Sequence, residues 1–232
     1  MHQFVLSESV KQRVLARQGV LHPYDAFDGA NTALVVVDMQ NYFLQPGAPA
    51  EVPMAREIVA NINRLARGVR AAGGRVVWIQ TSSREGLQSW PNHHQHMLTP
   101  ERRSARLKHL DDDSELFKLW PALEAPAGDL RVVKAKYSAL IPSSSNLEVV
   151  LREYRLDTVL ITGTATNVCC ESTARDAMLL DFKVVMVSDG NATWTDQEHT
   201  ASLNTFMTFF GDVLTTDETL ARLAPVAMKR TA

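Results

Sequence analysis

Residues 158–180 read TVLITGTATNVCCESTARDAMLL, and this stretch decides the fold class. It opens with an apolar run, predicted as a strand over Thr158–Thr162, and closes with helical periodicity over Asn167–Leu180. Small and polar residues fill the four positions between them. A short apolar strand that turns directly into a helix is typical of a parallel sheet covered by helices on both faces. The stretch therefore predicts an α/β fold.

The same pattern recurs along the chain. Short runs rich in Val, Ile and Leu predict six strands: Thr32–Val37, Arg75–Gln80, Leu130–Val133, Thr158–Thr162, Lys183–Val187 and Asp212–Leu214. Helical periodicity predicts five helices: Val52–Ala72, Ser145–Tyr154, Asn167–Leu180, Asp196–Phe209 and Thr216–Leu223. Six strands with intervening helices predict a three-layer αβα sandwich built on a parallel sheet.

Two regions fall outside this alternation. Residues 1–31 form an N-terminal arm with a short amphipathic helix at 8–19, which either packs on its own domain or takes part in a subunit contact. Residues 82–128 are too long for a simple crossover, so we interpret them as a lid or specificity insertion with helices of its own. The remaining chain, residues 32–232, is predicted to be one domain.

Composition excludes several classes of function. The 232 residues are 45% hydrophobic and carry 24 Lys and Arg against 26 Asp and Glu, which indicates a globular protein without the basic surface that nucleic acid requires. The longest aliphatic run, Ala33–Val37, is too short to span a membrane. Residues 1–21 lack the apolar core of a signal peptide, so a cytoplasmic location is predicted. No G-x-G-x-x-G follows the first strand, which argues against dinucleotide binding.

Polar residues end several of the predicted strands. Asp38 follows the first strand, Lys134 follows the third, and Cys169 lies in the first turn of the helix after the fourth. Ligands of parallel sheets bind at the carboxyl ends of the strands, so these three side chains are expected in one crevice. Taken singly, each residue also has a structural explanation. Asp38 could cap a loop, Lys134 could be a surface lysine, and Cys169 could be a small buried residue.

The three residue types together suit nucleophilic catalysis. Helix-opening N–H groups and a nearby ammonium from Lys134 favour the thiolate of Cys169. Asp38 can accept the thiol proton and later return it to a leaving group. Backbone N–H groups of Cys169 and Ala165 can bind the oxyanion that forms when a carbonyl carbon is attacked.

The second cysteine is interpreted differently. Cys170 adjoins Cys169, and a disulfide between neighbouring residues is strained and rare, so both are expected to be free thiols. Cys170 is predicted to be structural. A non-catalytic or redox-sensing protein is an alternative, but a sensor needs a resolving thiol within reach, and Cys170 is badly placed for that role.

Three motifs resemble those of the isochorismatase-like cysteine hydrolases: LVVVDMQN at 34–41, VKAKYSA at 133–139 and TGTATNVCCEST at 162–173. The resemblance implies a Rossmann-like sandwich with a six-stranded parallel sheet and a catalytic triad of Asp38, Lys134 and Cys169. It also implies a cis peptide between Thr164 and Ala165, which turns the Ala165 N–H into the oxyanion hole. The implied activity is hydrolysis of a C–N bond in a small amide, ureido or carbamoyl compound, without cofactor and in a dimer or tetramer.

The insertion and the motifs limit which members of this family the chain resembles most. Nicotinamidases of the family hold a metal with Asp-x-His and a further His, whereas residues 43–49 read FLQPGAP, so no metal is expected. His93, His94 and His96 are interpreted as lid or substrate contacts. The segment 89–97 is similar to ureidoacrylate amidohydrolases, although Thr81, Ser82 and Ser83 replace the residues expected to hold the acid end. An isochorismatase-type reaction on another small molecule is a further alternative. The expected substrate contacts are Asn41, Gln80, Tyr137 and His94.

Overall fold

Six parallel strands form the central sheet in the computed structural model, which describes residues 1–224. These six strands are β2 (Thr32–Val37), β3 (Arg75–Thr81), β4 (Leu130–Lys134), β5 (Thr158–Thr164), β6 (Lys183–Ala192) and β7 (Asp212–Leu214). Two further short strands are β1 (Phe27–Asp28) and β8 (Leu223–Ala224). The central sheet has the order β4-β3-β2-β5-β6-β7, and β1 pairs separately with β8. The predicted six-stranded parallel sheet is confirmed. Residues 225–232 of the predicted domain lie outside the described residues.

Helices cover both faces of this sheet, as the αβα prediction requires. They are α1 (Glu8–Gln18), α2 (Asn41–Leu44), α3 (Val59–Ala71), α4 (Gly86–Ser89), α5 (Pro91–His96), α6 (Pro100–His109), α7 (Leu147–Glu153), α8 (Glu171–Leu179), α9 (Asp196–Phe209) and α10 (Thr216–Arg222). Successive β2 side chains alternate between two apolar clusters, with Val35 and Val37 in one and Leu34 and Val36 in the other. The first cluster lies under α7, α8 and α9, and the second lies under α3.

Three predicted elements differ from the structure. The helix predicted over Asn167–Leu180 begins as a π-helical turn, Thr166–Cys170, before α8. The long helix predicted from Val52 is divided into a 3₁₀ turn at Pro53–Arg56 and helix α3. Strand β6 continues past the predicted end at Val187, with a shift in its register against β5. The Asn191 side chain supports this irregular segment, because its amide donates to the carbonyls of Ile161 and Val187 at 2.8 and 2.7 Å.

The N-terminal arm lies on its own domain. Val10 and Val14 of α1 are buried in the first apolar cluster, and the Ser7 N–H donates to Asn204 Oδ1 of α9 at 3.1 Å. The insertion at 82–128 contains α4, α5 and α6, as expected. Within residues 1–224, no helix is both long and apolar enough to cross a membrane.

Candidate active site

The strand order explains how residues far apart in sequence meet. Strands β4, β3, β2 and β5 are neighbours in the sheet, and all of them point the same way. Lys134 ends β4, Thr81 ends β3, Asp38 follows β2, and the Cys169 turn follows β5. The four side chains therefore gather at one edge of the sheet, where ligands of such folds bind.

A buried ion pair forms the polar centre of this edge. Lys134 Nζ lies 2.8 Å from Asp38 Oδ2, and both side chains are fully buried. Thr81 joins the two, since its hydroxyl accepts from Lys134 Nζ at 2.6 Å and donates to Asp38 Oδ1 at 2.8 Å. Lys134 also donates to the Lys136 carbonyl at 3.0 Å. The charges are therefore held in fixed positions by hydrogen bonds as well as by their attraction.

Cys169 lies in a π-helical turn, Thr166–Cys170, rather than in the first turn of an α-helix. The Cys170 N–H donates to the Ala165 carbonyl at 3.2 Å across this turn. The preceding Thr164–Ala165 peptide bond is cis, as the resemblance implies. Gly163 allows the close passage of β5 beside β2, because its φ is +118° and a Cβ there would lie 2.0 Å from the Val37 carbonyl oxygen.

Burial dominates the protonation of the thiol. It raises the pKa of Cys169 to about 12; the Lys134 charge lowers that pKa in part, while the Asp38 charge and a hydrogen bond to Asp38 raise it further. The net shift of the thiol pKa is therefore opposite to the direction that the helix position and Lys134 were expected to favour. Burial alone lowers the pKa of Lys134, but the interactions of Lys134 with Asp38 and Cys169 outweigh burial, and the net pKa is raised. Burial thus favours the neutral form of the Cys169 thiol.

Hydrogen bonds on the inner side fix the cysteine turn. The Thr173 hydroxyl donates to the Cys169 carbonyl at 2.8 Å. The Thr166 hydroxyl lies 2.9 Å from His199 Nδ1, and burial lowers the pKa of His199 to about 4, so this imidazole is neutral near pH 7. Cys170 is fully buried in the apolar core, where its thiol packs 3.9 Å from the Thr162 carbonyl.

A cavity of about 740 Å³ opens above the cysteine turn. Three elements supply most of its wall: the turn itself, the 48–51 segment and one face of α6. The lining residues are Tyr42, Phe43, Ala48, Pro49, Ala50, Glu51, Thr81, His93, Leu98, Glu101, Arg102, Ala105, Arg106, Tyr137, Ala165, Val168, Cys169 and Trp194. Cys169 and Ala165 share this wall, so a carbonyl group in the cavity reaches both.

Among the predicted substrate contacts, the structure brings Tyr137 to the cavity wall and turns the other three away. The Asn41 amide donates to the Glu115 carbonyl at 2.9 Å, and the Gln80 amide donates to the Phe117 carbonyl at 3.0 Å. Both side chains therefore attach the 115–117 segment of the insertion to the strand ends.

His94 is also turned away from the cavity. It is fully buried and donates to the Trp90 carbonyl at 3.1 Å. Its ring lies so close to Gly86 that a Cβ there would be 2.4 Å from His94 Nε2.

The neighbouring histidine takes the place expected of His94. His93 lines the cavity, stacks on Trp90 at 4.1 Å between ring centroids, and has Nε2 3.0 Å from the Tyr137 hydroxyl. Burial and the charge of Arg106 lower the pKa of His93 to about 4. His96 is absent from the described part of the cavity wall, and residues 1–224 contain no group of three His, Cys, Asp or Glu side chains arranged to hold a metal ion.

Several polar residues of the wall, Thr81 and Arg106 among them, are not predicted from the sequence. Thr81 ends a strand that lies between those of Lys134 and Asp38, and this position makes it a neighbour of the pair. Arg106 follows Arg102 by four residues on α6, which is the spacing for one helix face.

The fold defines the class of the chain. A six-stranded parallel sheet flanked by helices matches the structures of isochorismatase-like hydrolases. The model of the isochorismatase domain matches residues 32–218, and the chain belongs to this family.

Solved structures agree with this assignment. A cysteine hydrolase from Pseudomonas syringae pv. phaseolicola 1448A is 29% identical, with a TM-score of 0.73 over 85% of this chain and 94% of that one. N-carbamoylsarcosine amidase from Thermoplasma acidophilum is 25% identical, with a TM-score of 0.62 over 81% and 97%. Pyrazinamidase of Pyrococcus horikoshii, solved with zinc, is 23% identical with a TM-score of 0.68 over 80% and 99%, and supports the fold alone.

Proposed function

We propose that the protein is a cysteine-dependent amidohydrolase that cleaves a C–N bond of a small ureido, carbamoyl or linear amide compound. One observation carries this proposal: Cys169 lines the cavity, and the buried Lys134 and Asp38 both act on its thiol. A nucleophile, a carboxylate that can accept and return a proton, and a fixed positive charge are the parts that acyl transfer requires. The names of two relatives, a cysteine hydrolase and N-carbamoylsarcosine amidase, support the same reaction class.

Acylation begins from the neutral thiol. Because burial keeps the Cys169 pKa high, the proton must leave as the sulfur attacks the substrate carbonyl carbon. Asp38, whose charge acts on the thiol, takes that proton. The carbonyl oxygen gains the negative charge, and the backbone N–H groups of Ala165 and Cys169 bind it. Lys134 keeps its proton and stabilises the passing negative charge.

The remaining steps return the protein to its starting state. Asp38 gives its proton to the leaving nitrogen, the C–N bond breaks, and ammonia or an amine departs from a thioester on Cys169. Water then attacks the thioester carbon while Asp38 accepts a proton from it. The C–S bond breaks, the acid or carbamate product leaves, and the sulfur regains its proton from Asp38.

The alternatives have less support. A redox sensor needs a second thiol near Cys169, but Cys170 is directed into the core. The isochorismatase reaction cleaves a vinyl ether and in this family generally proceeds without the cysteine, so Cys169 favours amide hydrolysis. A relationship to ureidoacrylate amidohydrolases remains part of the proposal and rests on the similarity of segment 89–97.

Ammonia release tests the function directly. The purified protein is incubated with a panel of ureido acids, carbamoyl amines and small amides, with Cys169→Ala as the matched control. Release by the wild-type protein and none by the variant supports the proposal. No release from any compound, or equal release by the variant, contradicts it.

Mass spectrometry tests the order of steps. Wild-type protein quenched during turnover is expected to carry an acyl adduct on Cys169, because the thioester is an obligatory intermediate. Asp38→Asn should bind substrate yet show no adduct, since the amide cannot take the thiol proton. Rapid adduct formation by Asp38→Asn would assign the proton to another group.

A further inference from the structure

We infer that Arg106 binds a carboxylate of the substrate, so that the compounds cleaved are amides or ureas that also carry a free acid group. This inference rests on the proposed function, because it concerns the far end of the molecule whose C–N bond Cys169 attacks. It starts from a charge in the cavity wall that the reaction described above leaves unused.

Arg106 has no counter-charge of its own. It lines the cavity, and its buried Nε has no hydrogen-bond partner among residues 1–224. By contrast, Arg56, Arg84 and Arg175 are each paired with a carboxylate at 2.9 Å or less. A half-buried guanidinium that donates to nothing loses hydration without gaining a partner, which favours a ligand that supplies one.

The acidic residues of the wall are already engaged elsewhere. Glu51 accepts from the Gly47 N–H at 2.8 Å and pairs with Arg56 at 2.9 Å, and both contacts lower its pKa. Glu101 is exposed at the start of α6, where its own backbone N–H and the Thr99 hydroxyl lower its pKa. Neither carboxylate neutralises Arg106.

The basic side of the wall is one helix face. Arg102 lies one turn before Arg106 on α6 and also lines the cavity, but it is exposed, whereas Arg106 is half-buried. The positive charge of Lys134 is already paired with the Asp38 carboxylate. The available positive charge therefore comes from α6, a helix of the insertion, and its more buried member is Arg106.

A carboxylate fits this charge better than a phosphate. One guanidinium presents paired N–H groups that match the two oxygens of a carboxylate. A phosphate dianion would also need the exposed Arg102 for charge balance, whereas the half-buried Arg106 alone balances a carboxylate beside the apolar wall formed by Leu98, Ala105 and Val168. The cavity of about 740 Å³ has room for both the reacting carbonyl at Cys169 and an acid group at α6.

Matched acid and amide ligands test the inference. N-carbamoyl derivatives of glycine, β-alanine and γ-aminobutyrate are each used as the free acid and as the primary amide. Calorimetry on Cys169→Ala measures binding without turnover, and the same titrations are repeated with Arg106→Met added. Lys108→Met is the control, since Lys108 is exposed on the same helix and absent from the cavity wall.

At least one acid should bind about 10- to 100-fold more tightly than its amide, and Arg106→Met should remove that preference while Lys108→Met keeps it. Circular dichroism checks that each variant is folded, and Arg106→Lys should restore part of the preference. The inference is overturned if acid and amide bind with equal affinity across the whole panel, or if neither binds. It is also overturned if the preference for the acid survives Arg106→Met.

The two proposals can fail separately. Cys169-dependent hydrolysis of neutral amides without any preference for acids would leave the amidohydrolase proposal standing and remove the carboxylate site. If acids bind through Arg106 but no compound is turned over, the carboxylate site would stand and the amidohydrolase proposal would be removed.

Discussion

Lys134 Nζ lies 2.8 Å from Asp38 Oδ2 in a position from which both side chains are excluded from solvent. In such surroundings neither charge is tolerated without the other, because the desolvation of each is offset mainly by the partner. The Thr81 hydroxyl satisfies one oxygen and one ammonium hydrogen of the pair. The pair therefore links the chemistry of the site to the stability of the fold.

The first prediction concerns that link. Asp38→Asn should lower the free energy of unfolding by about 3–5 kcal/mol, because it leaves the Lys134 ammonium buried without a counter-charge. Urea denaturation of the wild-type and variant proteins measures the difference. The double variant Asp38→Asn/Lys134→Met should recover much of the loss. A double variant no more stable than Asp38→Asn would mean that the ion pair is not the cause.

The second prediction separates the two cysteines. Cys169→Ala should reduce kcat by at least about 10³-fold, since loss of a nucleophile disables the whole catalytic unit. Cys170→Ala should retain most of the activity, because Cys170 is directed into the core. Ammonia release under saturating substrate checks both. Inactivity of Cys170→Ala with full activity of Cys169→Ala would reverse the assignment.

The third prediction concerns pH. With its pKa raised to about 12, the Cys169 thiol should be alkylated by iodoacetamide at a rate that still rises at pH 10, whereas a free cysteine of pKa about 8.5 levels off earlier. Lys134→Met should slow the reaction further, because the ammonium lowers the thiol pKa. A plateau in the wild-type rate near pH 8 would contradict the raised pKa.

The raised pKa of Cys169 also predicts how the stability of the fold depends on pH. The pKa of the folded thiol lies above that of the unfolded chain, so its stabilising contribution is complete below about pH 8.5 and is lost as the pH rises toward 12.

The fourth prediction is independence from metals. Residues 43–49 lack the Asp-x-His of the metal-binding members, so activity should survive prolonged chelation by EDTA and 1,10-phenanthroline. Added Zn²⁺, Mn²⁺ or Fe²⁺ should not raise it. Inactivation by a chelator and rescue by one metal would contradict this prediction and would make His93, His94 and His96 candidate metal ligands.

The fifth prediction is self-association, which rests on the family resemblance. Light scattering at micromolar concentration should give a mass of two or four chains of 25.8 kDa each. The N-terminal helix lies on α9 of its own chain, so removing it is not expected to be a clean test of assembly. A strictly monomeric mass across the concentration range would contradict the prediction.

The sheet and its strand-end residues were open to prediction because each signal is local. Apolar runs followed by a sharp polar residue mark buried strands, and parallel strands place their carboxyl ends together. Whether Asp38 and Lys134 also lie side by side depends on the strand order, which no local signal in the sequence supplies.

Other features depended on distant parts of the chain. Whether the amides of Asn41 and Gln80 face a ligand or a backbone carbonyl is decided by where the insertion returns, about 40 to 75 positions further along. The depth of Cys169 is likewise a tertiary property. A helix-terminus argument gives the direction of one influence on the thiol but not the burial that outweighs it.

Two glutamine side chains hold the same point of the insertion. Gln40 and Gln80 both donate to the Phe117 carbonyl, at 2.9 and 3.0 Å, and Gln40 also donates to the Thr81 carbonyl. The return of the insertion is therefore attached to the strand ends behind the reacting residues, while α6, earlier in the same insertion, faces the cavity. This separation is modular. We expect that changes in α6 alter what the cavity recognises and leave the cluster at the strand ends beneath it undisturbed.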